Sequence, residues 1–182
     1  MPSFPKTRSV TPLYKKGDKY LPSNDPPISL TCVTCKVMEH IMASQMTRHL
    51  EENKRLCKHQ HGFRKYRSCE TQLTELMCDI SKKIAEGKEV DAILLDFSKA
   101  FNKVDHMKLK IDNRQVRNWV QSLLVGHSQT VVADIFESNS CPVTSGVPQG
   151  SVIGPIVYLI YVNDLPNYVI SRTRLFPDDN VI

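Results

Sequence analysis

Val90-Asp91-Ala92-Ile93-Leu94-Leu95 runs into Asp96, and this stretch, read with the pair Asp178-Asp179 beside Leu175-Phe176 far downstream, decides the fold. The segment to Phe97 is short, apolar on both faces and preceded by a helix stop at Gly87, which predicts a fully buried strand. A carboxylate at the tip of such a strand loses several kcal/mol of hydration unless something compensates. A divalent cation shared with a second acidic cluster is the expected compensator. Hard oxygen ligands suit magnesium, and two magnesium ions side by side serve nucleotidyl transfer.

The rest of the chain frames these acids. Its 182 residues suffice for one core, and 41% hydrophobic with 24% charged residues excludes wholesale disorder. The net charge of +5 permits nucleic-acid binding without demanding it. Positive charge gathers locally, in Lys54, Arg55, Lys58, Arg64, Lys65 and Arg67, with no acid between them. The six cysteines fall at irregular spacings with no secretory signal ahead of them, which points to a reducing, intracellular setting. The longest apolar run, Val152 to Val162, is broken by Gly154 and Pro155 and is shorter than the about 20 residues of a membrane span, so a buried helix and no membrane partner are expected.

Periodicity supplies the other elements. Residues 1–27 hold many of the prolines and read as an extended N-terminal segment. Val33, Val37, Ile41, Met42, Met46 and Leu50 recur at helical intervals. Ser68 is the expected N-cap of a second helix striped by Leu73, Leu76, Met77, Ile80 and Ile84, with Gly87 in the left-handed C-cap. A third helix turns Val116, Trp119, Val120, Leu123 and Leu124 inward. Thr130 to Phe136 predicts a strand closed by a turn at Glu137-Ser138-Asn139-Ser140, and Ser151 to Asn163 a helix with Pro155 in its first turn. Arg174-Leu175-Phe176 opens a last strand that turns at the aspartates. This alternation gives an α+β class.

Five strings carry a resemblance: Pro27-Ile28-Ser29-Leu30, Gln60-His61-Gly62-Phe63-Arg64, Leu95-Asp96-Phe97-Ser98-Lys99-Ala100-Phe101, Ser145-Gly146-Val147-Pro148-Gln149-Gly150-Ser151 and Phe176-Pro177-Asp178-Asp179. In this order they resemble reverse transcriptases of non-LTR retrotransposons of the jockey or CR1 kind. So do Val10-Thr11-Pro12-Leu13-Tyr14-Lys15-Lys16-Gly17-Asp18 and Leu159-Ile160-Tyr161-Val162-Asn163-Asp164-Leu165-Pro166.

The resemblance implies a partial polymerase right hand over residues 28–182, with fingers and a ferredoxin-like palm. It implies RNA-directed DNA synthesis with an RNA template, a DNA primer and deoxynucleoside triphosphates. Asp96, Asp178 and Asp179 would hold two Mg2+ ions. Phe101 would be the aromatic gate against a ribose 2′-hydroxyl, with a core phenylalanine as the rival reading. Arg64 would clamp the incoming triphosphate, and Gln149 and Gly150 would pack beside nucleotide and template.

Several departures bear on activity. Pro177 stands where the family has a small residue, and proline cannot adopt the positive φ of a primed hairpin turn. Met107 to Arg114 is shorter than in the family by roughly two helical turns. The chain stops three residues after Asp179, so the thumb is expected to be missing. Weak or absent catalysis is therefore expected, and two alternatives stand beside it: a non-catalytic RNA or single-stranded DNA binding module, and an unfolded relic. Cys32 and Cys35, taken with Cys57, His59 and His61, match structural zinc spacings poorly. His106 reads better as a loop histidine than as a general acid.

Overall fold

A computed structural model of the chain describes residues 7–14, 17–18, 21, 27–111, 113–177 and 179–181. Two small sheets flank a core of helices. In the first, β1 (Thr7–Pro12) pairs antiparallel with β2 (Pro27–Leu30) and parallel with β4 (His127–Ala133), and β4 also takes β5 (Phe136–Glu137) and β6 (Cys141–Val143). Part of the segment expected to be merely extended is thus a strand, and its Val10 is buried. In the second sheet the order is β3 (Leu94–Asp96), β8 (Asp179–Val181), β7 (Arg174–Phe176), all antiparallel. In this sheet β8 lies in the centre, paired with β3 on one side and β7 on the other.

The core lies where α1 (Val33–Glu52), α3 (Arg114–Leu124) and α4 (Gly154–Val162) meet. Trp119, Val120, Leu123 and Leu124 of α3 are all buried, with Val116 packed against the cluster, as the spacing predicts. In α4, Pro155 occupies the first turn, where no intrahelical N–H is needed. Ile156, Val157, Tyr158 and Leu159 bury the next turn. In the connection before α3, Leu109 and Ile111 fill core positions, and Asn113 caps α3 by accepting from the N–H groups of Gln115 and Val116.

Four sequence expectations need correction. In α1 the buried face is Glu39, Ala43 and Met46, flanked by half-buried Cys35, Met38, Met42 and Leu50, while Val33, Val37 and Ile41 are exposed. The helix is rotated because Glu39 has buried donors to satisfy, described below. Helix α2 (Cys69–Ala85) starts at Ser68 in a reciprocal capping box with Thr71, and ends in a Schellman motif: Gly87 at φ +74° donates to Ile84 O and Lys88 donates to Lys83 O. Yet Leu73, Met77 and Ile84 are exposed, on a helix whose main packing partner is β7. The strand expected over Val90 to Phe97 shrinks to Leu94–Asp96. Its ladder with β8 is three residues long, none of residues 90–93 has a ladder partner among the described residues, and Leu94 is 80% exposed. Likewise the turn after β4 comes earlier than expected, at Asp134-Ile135, where Asp134 adopts φ +53°.

Candidate active site

Asp96 closes β3 and is solvent-exposed, so it does not carry the desolvation cost that a buried strand tip implied. The ladder places Asp96 directly opposite Asp179 of β8, and Asp179 in turn opposite Phe176 of β7. Directly opposed residues of an antiparallel pair have Cα atoms about 4.5–5.5 Å apart. Asp178 lies outside the described residues. Pro177 is the first residue of the two-residue β7–β8 loop, and its ring fixes φ near −65°, which excludes both primed turn types. The hairpin nevertheless closes in register. Among the described residues no group of three or more His, Cys, Asp or Glu side chains is placed to hold a metal ion.

One motif string joins this hairpin directly, and the others are linked to the segment after Asp96 or to each other. Gln60 makes a parallel bridge to Leu175: His61 N–H donates to Leu175 O at 2.9 Å and Leu175 N–H to His59 O at 3.0 Å. Gly62 abuts Pro177 so closely that a Cβ on Gly62 would overlap the proline ring. The segment after Asp96 is zipped to the glycine loop. Val147 N–H donates to Phe101 O at 2.9 Å, Gly146 N–H to Val104 O at 2.8 Å, and the Ser145 hydroxyl to Asn102 O at 3.1 Å. Gly146, at φ +84°, has no room for a Cβ, which would meet Asn102 Cα and O at 2.8 Å. Behind it, Ser29 N–H of β2 donates to Gln149 O at 2.9 Å, while Gln149 and Gly150 face solvent. His106 is buried with Nε2 on Gly146 O at 2.6 Å, a structural loop histidine.

Phe101 is half-buried. Its ring stacks on Tyr158 with centroids 4.7 Å apart and meets Phe63 edge-on at 6.2 Å. It therefore packs against the core. A cavity of about 800 Å³ is lined by Asp96, Phe97, Ser98, Lys103, Tyr158 and Tyr161 among others.

The basic loop is less free than its charge suggests. Arg64, with its side chain 10% exposed, gives Nε–H to Glu51 Oε1 at 2.7 Å, pairs Nη2 with Glu51 Oε2, and donates from Nη1 to the carbonyls of Cys57 and Gln60. The Arg64 hydrogen bond holds the Glu51 carboxyl below its ordinary range against the opposing effect of burial. Arg67 donates to Lys58 O. Phe63 and Tyr66, on either side of Arg64 and Lys65, both adopt positive φ, a strained loop held by this network.

Beneath the loop, buried Arg174 contacts His59 and Asp79. Burial, then the Arg174 and Lys58 charges, depress the His59 pKa, and burial also depresses that of His61. Burial would raise the Asp79 carboxyl, but hydrogen bonding to Arg172 and the Arg174 charge bring it below the ordinary value.

One residue that the sequence reading missed holds the site's floor. Glu39 of α1 is 1% exposed and accepts from the Ser151 hydroxyl and Val152 N–H, both at 2.7 Å, just ahead of α4. No spacing rule marks it, since an acid in a helix normally faces solvent. Cys32 and Cys35 bond each other at the start of α1, whereas Cys57 and His59 serve the basic loop.

A family profile for reverse transcriptase (RNA-dependent DNA polymerase) matches residues 14–182. The chain is 30% identical over 168 residues to a probable RNA-directed DNA polymerase from transposon X-element of Drosophila melanogaster, covering 87% of this chain and 18% of that protein. It is 29% identical over 175 residues to the RNA-directed DNA polymerase from mobile element jockey of the same organism, covering 90% and 18%. The chain thus spans less than a fifth of the length of these relatives. Among solved structures, apo telomerase from Candida tropicalis, truncated from its C-terminal domain, superposes with a TM-score of 0.63 over 97% of this chain and 43% of that one, at 10% identity. Among the described residues no helix is long and apolar enough to cross a membrane.

Proposed function

The chain belongs to the reverse transcriptase (RNA-dependent DNA polymerase) family, and from that membership we propose that it carries the nucleotide-adding centre of an RNA-directed DNA polymerase. Residues 28–182 form the partial catalytic domain, with the motif loops as fingers and the β3-β8-β7 sheet with its helices as palm. The observation that supports this reading best is the register pairing of Asp96 with Asp179, which joins two of the five motif strings, the other three being hydrogen-bonded to these two, to the adjoining Leu175 or to one another.

Two acids at opposed ladder positions repel each other unless a cation intervenes. The donor set is all carboxylate oxygen, which suits Mg2+. Asp96, Asp178 and Asp179 would hold the ions, which when bound supply Lewis-acid activation of a primer 3′-hydroxyl and neutralise charge on the leaving pyrophosphate. The chain's own residues do the rest. Phe101, braced by Tyr158 and Phe63, presents a ring edge that admits a deoxyribose and excludes one further oxygen. Exposed Gln149 and Gly150, tethered through β2, border the position of the nucleotide and template. Arg64 reaches a triphosphate only by exchanging the Glu51 carboxylate for phosphate oxygens. Such an exchange keeps two charge-assisted bonds to the same planar fork.

Template-directed extension of a DNA primer on RNA with magnesium tests the proposal. Extension by the wild-type chain that Asp96→Ala abolishes is the expected result. Extension that survives Asp96→Ala would refute the assignment.

A further inference from the structure

We infer that Cys32 and Cys35 form a redox-active dithiol, a modification site that a low-molecular-weight disulfide of the glutathione class oxidises to an internal disulfide. Cys32 is the N-cap of α1, with φ −65° and ψ 155°, and its sulfur accepts the Cys35 N–H at 3.3 Å. The two sulfurs share a hydrogen bond at 2.9 Å, and the Thr34 hydroxyl lies 3.1 Å from the Cys32 sulfur. An exposed sulfur at the positive end of a 20-residue helix, with a second thiol already in contact, is placed both to ionise and to be resolved.

The environment divides the roles. The Cys35 and Thr34 hydrogen bonds bring the Cys32 thiol down to about 7, whereas the Cys32 hydrogen bond and burial push Cys35 up to about 11. Cys32 is therefore the attacking thiolate. It opens the small disulfide RS–SR, forming Cys32–S–SR and releasing RS⁻. Cys35, half-buried against the core, then gives up its proton and attacks the Cys32 sulfur, releasing the second RSH. The protein loses two hydrogens and the small disulfide becomes two thiols. Cys69, Cys78 and Cys141 are also exposed, but none has a second cysteine three residues away, so they serve as internal controls.

The test is incubation of the reduced full chain with oxidised glutathione, followed by trypsin and mass spectrometry. Peptide Tyr20–Lys36 contains both cysteines and no other. It should appear two hydrogens lighter. Cys35→Ser should instead trap glutathione on Cys32, and Cys32→Ser, whose hydroxyl preserves the cap, should leave this peptide unmodified. Near pH 7 Cys32 should also alkylate about threefold faster than the control cysteines, since its larger thiolate fraction outweighs its lower nucleophilicity. A peptide that stays a dithiol while Cys69, Cys78 and Cys141 take up glutathione overturns the inference, as does Cys35→Ser carrying no adduct at Cys32.

Discussion

Glu39→Ala is the most informative single change outside the acids. The carboxylate accepts two buried donors, the Ser151 hydroxyl and Val152 N–H, and offsets part of the burial of the Arg8 guanidinium, whose pKa burial depresses. Its own desolvation costs several kcal/mol, so deletion both relieves a cost and creates one. The created cost wins, because each donor left without a partner costs about 1–3 kcal/mol and removing one member of a buried charged network is worse than removing all of it. A net loss of about 2–4 kcal/mol follows, and Glu39→Gln should lose less than half of that, because both donors meet the same oxygen, Oε2, which an amide oxygen can replace. In urea, with a slope of about 2 kcal/mol per M, the Glu39→Ala midpoint falls by about 1–2 M. A double-mutant cycle with Ser151→Ala should show coupling of about 1 kcal/mol. A midpoint unchanged from wild type, or strict additivity with Ser151→Ala, would refute the claim that Glu39 anchors the approach to α4.

Other expectations follow from the same contacts. Gly62→Ala drives a Cβ into the Pro177 ring and should cost about 1–3 kcal/mol by thermal or urea unfolding, a cost that adding Pro177→Ala should largely recover. Glu51→Gln frees the Arg64 fork and should tighten triphosphate binding severalfold in an equilibrium titration, while Arg64→Ala should weaken it. His59 and His61 are harder to protonate folded than unfolded, so the unfolded chain binds more protons near pH 6. Stability should be fully present above about pH 6.5, fall as the pH drops through the depressed folded values, and fall less steeply in a His59→Gln, His61→Gln double variant.

Much of the frame around the candidate site was legible because local steric and capping rules set it. Gly146 is irreplaceable where Asn102 presses on it, and the Ser68 cap and Gly87 stop obey local rules that tertiary contacts did not override. The failures came where burial depends on partners the local pattern cannot name. Val33, Val37 and Ile41 make as good a helical stripe as any, but Glu39 found donors on α4 and rotated the helix toward them. The Val90–Ile93 run is apolar enough for a strand and joins no ladder among the described residues. Arg64 carries the charge a triphosphate clamp requires, and nothing in its neighbourhood of sequence showed that Glu51, one helix earlier, already holds it.

The parallel pairing of β1 with β4 joins residues 121 positions apart, Thr7 to Ser128. Such closures are entropically late events, and chains dominated by them fold slowly. On a ribosome, the first strand can pair with β2 early, but its other edge must wait until more than a hundred further residues have emerged before β4 covers it. The acid pair is later still: Asp96 meets its partner only after β8 has been made, so every nascent intermediate before that point lacks the centre altogether.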